Sequence, residues 1–106
     1  MAPTVLTDGS SHQQLSQGSP IIAIEFWSFR CEGCRNVAPI VSRMAEELAD
    51  RVDVYKVNVD ENPRLTAQYA VPYVPYLVIA REGQTVASFG EAWTVDDVKQ
   101  IVDGEI

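Results

Sequence analysis

The sequence predicts an α/β fold in which a central mixed sheet carries helices on both faces, and three observations predict it. Residues Ile21 to Trp27 form a nearly unbroken apolar run with β-branched and aromatic members, the pattern of a strand covered on both sides. After Cys31 the apolar period lengthens to that of a helix, with Val37, Val41, Met44 and Leu48 on one stripe. A second β-branched run, Val52 to Val59, completes a unit of the βαβ kind, whereas YLVIA and TVASF read as an antiparallel hairpin.

Along the chain, Thr4 to Leu6 is an edge-strand candidate and Gly9 to Gln17 a weak, polar helix candidate. The buried strand follows, and then the long helix, whose remaining positions carry Arg43, Glu46, Glu47 and Asp50. Pro39 predicts a kink in it, because proline lacks the amide hydrogen and its ring crowds the carbonyl four residues earlier. In DENPRLTAQYA, Asn62 is the expected cap of a short helix and Pro63 its first residue. Arg81-Glu82-Gly83-Gln84 closes the hairpin with a glycine-containing turn. Thr94 caps the last helix, which turns Val95, Val98, Ile101 and Val102 inward.

The sequence contains no internal repeat, low-complexity tract or linker, and its 106 residues, 46% hydrophobic, are expected to form a single domain, 1–106, that buries a core without disulfide staples. Eight basic against fifteen acidic residues give a net charge of -7. With a pI near 4.5, this argues against a phosphate-binding surface, and no nucleic-acid partner is expected. MAPTVLTDGSSHQQ lacks the charged and apolar regions of a secretory signal, and no apolar window is long enough to span a bilayer. The expectation is a cytoplasmic protein with no membrane partner, although a processed exported chain with an added initiator Met would read the same. In a reducing compartment a close cysteine pair is catalytic or metal-binding rather than structural.

The only two cysteines, Cys31 and Cys34, fall at the turn from the buried strand into the helix. Their spacing puts both sulfurs on one side of the first helical turn, where they can close a small disulfide ring. Unpaired amides and the helix dipole favour an anion there, which marks Cys31 as the thiolate and the more exposed sulfur, with Cys34 pointing back beneath the helix. Arg30 and Arg35 add positive potential and Glu32 opposes it. Two alternatives are an inert packed pair and a metal site shared between subunits, since two cysteines and the lone His12 fall short of the four ligands of structural zinc. Glu25 sits in the middle of the apolar strand, where an unpaired ionised carboxylate is costly, so it raises its pKa, finds a partner, or reaches solvent at the strand end. Trp27 reads as a packing wall behind the cysteines, and Tyr73, Tyr76 and Trp93 as either an apolar rim or ordinary partly buried aromatics.

Glu25-Phe26-Trp27, the Cys-x-x-Cys at the helix start, Ala38-Pro39 five residues after the second cysteine, KVNVDENPRLTAQYAV and VPYLVI together resemble the thioredoxin family over nearly the whole chain. The resemblance implies the thioredoxin fold, a mixed sheet of four to five strands flanked by helices. It implies that Cys31 is the nucleophile and Cys34 the resolving cysteine of a redox-active disulfide. Glu25 then matches the family's buried acid and proton acceptor for Cys34. Lys56 matches the lysine paired with that acid, although on a central strand it can equally extend to water, and Pro75 matches the cis-proline facing the disulfide. Trp27, Arg30, Val74, Pro75 and Tyr76 become the expected substrate-binding residues, with the Val74 backbone pairing with an extended substrate segment.

The implied activity is reduction of protein disulfides by dithiol-disulfide exchange. It needs no bound cofactor, takes electrons from NADPH through a thioredoxin reductase, and is carried out by a monomer on disulfide-containing proteins. The chain departs from the family on its substrate face: Arg30 replaces a tryptophan, Glu32-Gly33 replaces Gly-Pro, and Tyr76 replaces a threonine. Loss of the rigid proline at Gly33 implies a potential less negative than the roughly -270 mV of thioredoxin, toward the about -180 mV of isomerases. The alternatives are therefore an isomerase or oxidant on this fold, and a non-catalytic binding module whose partners dock on the Tyr76 and Trp93 face.

Overall fold

In the computed structural model, which describes residues 2–106, the elements follow one another as β1 (Thr4–Val5), α1 (Ser11–Gln17), β2 (Ile21–Trp27), α2 (Glu32–Glu47), β3 (Asp53–Asn58), α3 (Pro63–Gln68), β4 (Tyr76–Arg81), β5 (Gln84–Gly90) and α4 (Val95–Glu105). They build a five-stranded sheet in the order β1-β3-β2-β4-β5. Strands β1, β3 and β2 run parallel, and β4 and β5 complete the sheet antiparallel, so it is mixed as the sequence predicts.

Strand β2 lies at the centre, and every residue from Ile21 to Phe26 is buried. Alternation along it separates two cores. Ile21 and Ala23 pack on the side of α2 and α4, with Val37, Val41, Met44, Val98 and Val102. Ile22, Ile24 and Phe26 face the opposite side, with Leu65, Tyr69 and Val78. The same alternation puts Glu25 on the α2 side, and the β2–β3 register pairs it with Lys56. That register also ends both strands together, Trp27 opposite Asn58, so the loops that follow them emerge side by side.

Helix α2 runs through Pro39 without interruption, and Cys31 is its N-cap rather than a member of its first turn. Thr94 caps α4 as expected, in a reciprocal box with Asp97. Glu82 and Gly83 both take positive φ, 49° and 86°, the pairing a two-residue turn between twisted antiparallel strands requires.

Two expectations are corrected. Asn62 occupies the N-cap of α3, but its side chain makes no capping bond. Its amide group is buried and already used: Oδ1 accepts from the Asp8 amide at 2.9 Å and Nδ2 donates to the Asn58 carbonyl at 2.9 Å. Asp8 takes over the cap from more than fifty residues away, its carboxylate accepting from the amides of Arg64 (3.0 Å) and Leu65 (2.9 Å). Trp93 is only 3% exposed and belongs to the core under α2 and α4, so it forms no rim and offers no docking surface. It directly precedes the cap of α4, the position from which an apolar residue folds back against the helix's first turn.

Asp8 is thus expected to stabilise the fold through α3. Asp8→Ala leaves two amides without acceptors at a helix start and should cost about 1–2 kcal/mol in urea denaturation. Asp8→Asn, which keeps an acceptor, should recover much of that loss.

Candidate functional site

The site forms where β2 stops. After Trp27 the chain leaves the sheet through Ser28, Phe29 and Arg30 and enters α2 at Cys31. The Cys31 amide donates to the Ser28 carbonyl at 3.2 Å, which closes the turn. The Cys34 amide donates to the Cys31 sulfur at 3.0 Å, so a sulfur does the capping that an oxygen does in most helices. Cys31 and Cys34 are joined by a disulfide with their Cα atoms 5.3 Å apart. Cys31 is half-buried and Cys34 only 5% exposed, so the two sulfurs differ in access as the sequence predicts.

Each sulfur adjoins its own hollow. Cys34 lines a cavity of about 250 Å³ with Glu25, Trp27, Arg35 and Lys56. Cys31 lines an open groove of about 490 Å³ with Arg30, Glu32, Gly33, Val74, Pro75 and Glu91. The Val74-Pro75 peptide is cis. Val74 makes no backbone hydrogen bond among the described residues, which leaves its amide and carbonyl free at the groove edge. A Cβ added at Gly33 would meet Pro75 Cδ at 3.2 Å, so the missing side chain widens the groove between α2 and the proline.

Glu25 is 5% exposed. Burial drives its pKa from 4.5 to about 7, and the positive charge of Lys56 on the neighbouring strand only partly offsets this. A carboxyl that exchanges its proton near neutrality, in a cavity shared with Cys34, has the properties of an acid or base for that thiol. The indole Nε1 of Trp27 is buried without a partner among the described residues, and its ring meets Phe29 edge-on at 4.7 Å.

The expected site residues therefore separate into two groups. Glu25, Trp27, Cys34 and Lys56 meet around the cavity, and Arg30, Cys31, Val74 and Pro75 around the groove. Tyr76 lines neither: its ring packs edge-on against Tyr73 and its hydroxyl bonds Ser88 Oγ at 2.9 Å. Sequence reasoning missed Ser28, Asp60 and Glu91. The available signal for the first two was the parallel pairing of β2 with β3, which makes neighbours of the loops at their ends. Glu91 adopts φ 70°, which a sequence with glycine one position earlier gives no reason to expect.

A half-buried, groove-facing cysteine bonded to a buried one at Cys-x-x-Cys spacing, at a helix start beside the centre of a mixed sheet, defines a thiol-disulfide oxidoreductase. Comparison with known proteins agrees. The thioredoxin family model matches residues 2–104. Thioredoxin 1 of Synechococcus elongatus is 40% identical over 81 residues, 76% of either chain. The thioredoxin of Alicyclobacillus acidocaldarius is 40% identical over 85 residues, 80% of either chain. A mutant thioredoxin from Halobacterium salinarum superposes with a TM-score of 0.84 at 24% identity, covering 97% of this chain and 89% of that one, a likeness of fold. The chain belongs to the thioredoxin family, and it is a disulfide reductase of the thioredoxin type. Family members act on disulfide-containing proteins and generally need no bound cofactor. Among the described residues, no helix is long and apolar enough to cross a membrane, and no group of three or more His, Cys, Asp and Glu is placed to hold a metal ion.

The raised pKa of Glu25 has a measurable sign. Between its unfolded value of about 4.5 and its folded value of about 7, the folded chain holds a proton that the unfolded chain has released. Stability is therefore full below the lower value and falls as pH rises through the upper one, by about 3 kcal/mol over the window. Glu25→Gln should remove this decline, so denaturation at pH 8 should find the variant more stable than the parent, with little difference at pH 4.

Proposed function

We propose that the chain reduces protein disulfides with Cys31 as nucleophile and Cys34 as resolving cysteine. The observation that carries this reading is the division of the disulfide between two hollows, Cys31 on the open groove and Cys34 on the cavity of Glu25. In the reduced protein the α2 N-terminus stabilises a Cys31 thiolate, its sulfur already accepting from the Cys34 amide. The thiolate attacks one sulfur of a substrate disulfide, whose S–S bond breaks as the Cys31–substrate bond forms. The Cys34 thiol gives its proton to Glu25, and the resulting thiolate attacks the Cys31 sulfur. The substrate leaves as a dithiol, and the two electrons it has gained come from the Cys31–Cys34 pair, which ends oxidised.

Lys56 tunes the acceptor by opposing the desolvation of Glu25. Trp27 walls the cavity, and Arg30, Val74 and Pro75 line the groove that takes the substrate. Pairing of a substrate segment with the free backbone of Val74 tolerates many sequences, which suits a broad range of disulfide proteins. Tyr76 contributes at most from the neighbouring surface. On this reading the chain is a single domain, 1–106, works as a monomer in the cytoplasm, and is recycled by NADPH through a thioredoxin reductase that must accept Arg30 in the place of tryptophan.

Reduction of a generic protein disulfide driven by dithiothreitol tests the assignment. Cys31→Ser should abolish turnover, whereas Cys34→Ser should start the reaction and accumulate a mixed disulfide visible on non-reducing gels. Turnover retained by Cys31→Ser would overturn it.

Gly33 favours the second reading, an isomerase-like or oxidising balance, because it gives up the rigidity of proline between the cysteines. Equilibration with glutathione should give a potential less negative than the roughly -270 mV of thioredoxin. Gly33→Pro should move it to more negative values by about 30 mV, a tenfold change in the equilibrium constant with glutathione.

A further inference from the structure

Ser28 alone among the described residues lines both hollows, the cavity with Glu25 and Cys34 and the groove with Cys31 and Pro75. It is 9% exposed, and both its hydroxyl and its carbonyl are engaged. Its hydroxyl donates to Asp60 Oδ2 at 2.7 Å and accepts from the Arg30 amide at 3.3 Å, while its carbonyl accepts from the Cys31 amide at 3.2 Å. Asp60 is anchored in turn, its amide donating to Oδ1 of buried Asn58 at 2.9 Å, and the Asn58 carbonyl is held by Asn62 Nδ2 at 2.9 Å. The loop that presents the reactive sulfur is thus tied to the end of β3 through one side chain.

We propose that Ser28, oriented by Asp60, is a positioning residue for the disulfide exchange: it fixes the Arg30 and Cys31 amides so that the Cys31 sulfur stays on the axis of the α2 N-terminus. The inference rests on Cys31 being the nucleophile. Several charges surround that sulfur: Arg30, Glu32 and Glu91 around the groove, Glu25, Lys56 and Arg35 around the cavity, and Asp60 behind the hydroxyl. With so many charges of both signs, a shift of the sulfur by a fraction of its hydrogen-bond length changes which of them it senses. The Ser28 hydroxyl also satisfies the Asp60 carboxylate, so its removal frees a negative charge on the same side as the developing thiolate. Both effects slow Cys31.

The experiment uses the full chain, reduced, and follows Cys31 alkylation by iodoacetamide across pH together with reduction of a protein disulfide. Ser28→Ala should lower both rates about tenfold near neutral pH, the effect of one hydrogen bond to a charged group, and move the alkylation profile to higher pH. Ser28→Thr, which keeps the hydroxyl, should restore both to within about twofold. Asp60→Ala, which loses the orienting acceptor but also removes the opposing charge, should lower both rates by a smaller factor, which keeps the proposal testable should Ser28→Ala fail to fold, and Asp60→Asn, which keeps an acceptor, should be milder still. Alkylation at the parent rate and profile in Ser28→Ala and Asp60→Ala would overturn the proposal. So would a loss confined to the protein substrate, since the small reagent needs the sulfur and not the groove. Cys31→Ser is measured alongside: activity retained there refutes the nucleophile assignment itself, whereas activity lost there with Ser28→Ala unaffected refutes only the role of Ser28.

Discussion

The Cys34 amide reaches the Cys31 sulfur over 3.0 Å, and that bond sets the polarity of the whole site. A helix start has amides without internal acceptors, and a capping group must supply negative density to them. Sulfur is a weak acceptor when neutral and a strong one as an anion, so the same contact that caps α2 lowers the cost of ionising Cys31. The cap depends on β2 ending where it does. One residue more of strand would carry Cys31 away from the helix axis, and the end of β2 is fixed by its register against β3 and β4 on either side.

From that contact the division of labour follows. A residue at the N-cap lies on the outer lip of the helix, whereas one three positions on turns inward toward the sheet face it covers. Cys31 therefore meets the groove and Cys34 the cavity, although the two are bonded to one another. The groove keeps its shape through backbone more than through side chains. Gly33 leaves open space against Pro75. Glu91 accepts a φ of 70°, a conformation a non-glycine residue adopts at some energetic cost, while its amide bonds the Pro75 carbonyl at 3.1 Å. The wall opposite the sulfur is thus pinned from behind while its front, at Val74, stays unpaired.

What the sequence disclosed and what it withheld divide along sequence distance. The buried run Ile21 to Trp27, the helical stripe from Val37 to Met44, the Thr94 cap and the Glu82-Gly83 turn are local patterns, and each appears where its pattern lies. Cys31, Cys34 and Glu25 were legible for a similar reason, since a strand and helix that follow each other directly place them by periodicity alone. The cap of α3 was not, because Asn62 and Asp8 exchange roles across more than fifty residues and either side chain is locally suitable. The partner of Ser28 was hidden likewise, an aspartate 32 positions away that only the parallel register brings near. Trp93 stayed open between rim and buried aromatic for the opposite reason: large aromatics beside a helix cap read as surface or core alike until the packing of α2 against α4 is known.

Glu25 presents the sharpest conflict between stability and use. An apolar residue would fit a strand buried on both faces, and a carboxylate there loses its hydration without gaining a full ion pair. At neutral pH that choice offsets a noticeable part of the about 5–15 kcal/mol by which a domain is stable at all. A group placed only for packing would have no reason to titrate. Desolvation and Lys56 oppose each other so that the proton comes and goes near pH 7 rather than near 4.5 or far above neutrality. Deeper burial without the lysine would lock the carboxyl in its protonated state, and a closed ion pair would lock it ionised, and in neither case would it suit the proton exchange with Cys34 that we propose. The energetic disadvantage of Glu25 and the chemical use we propose for it therefore have one origin, the cavity that sets burial against the charge of Lys56 beside Cys34.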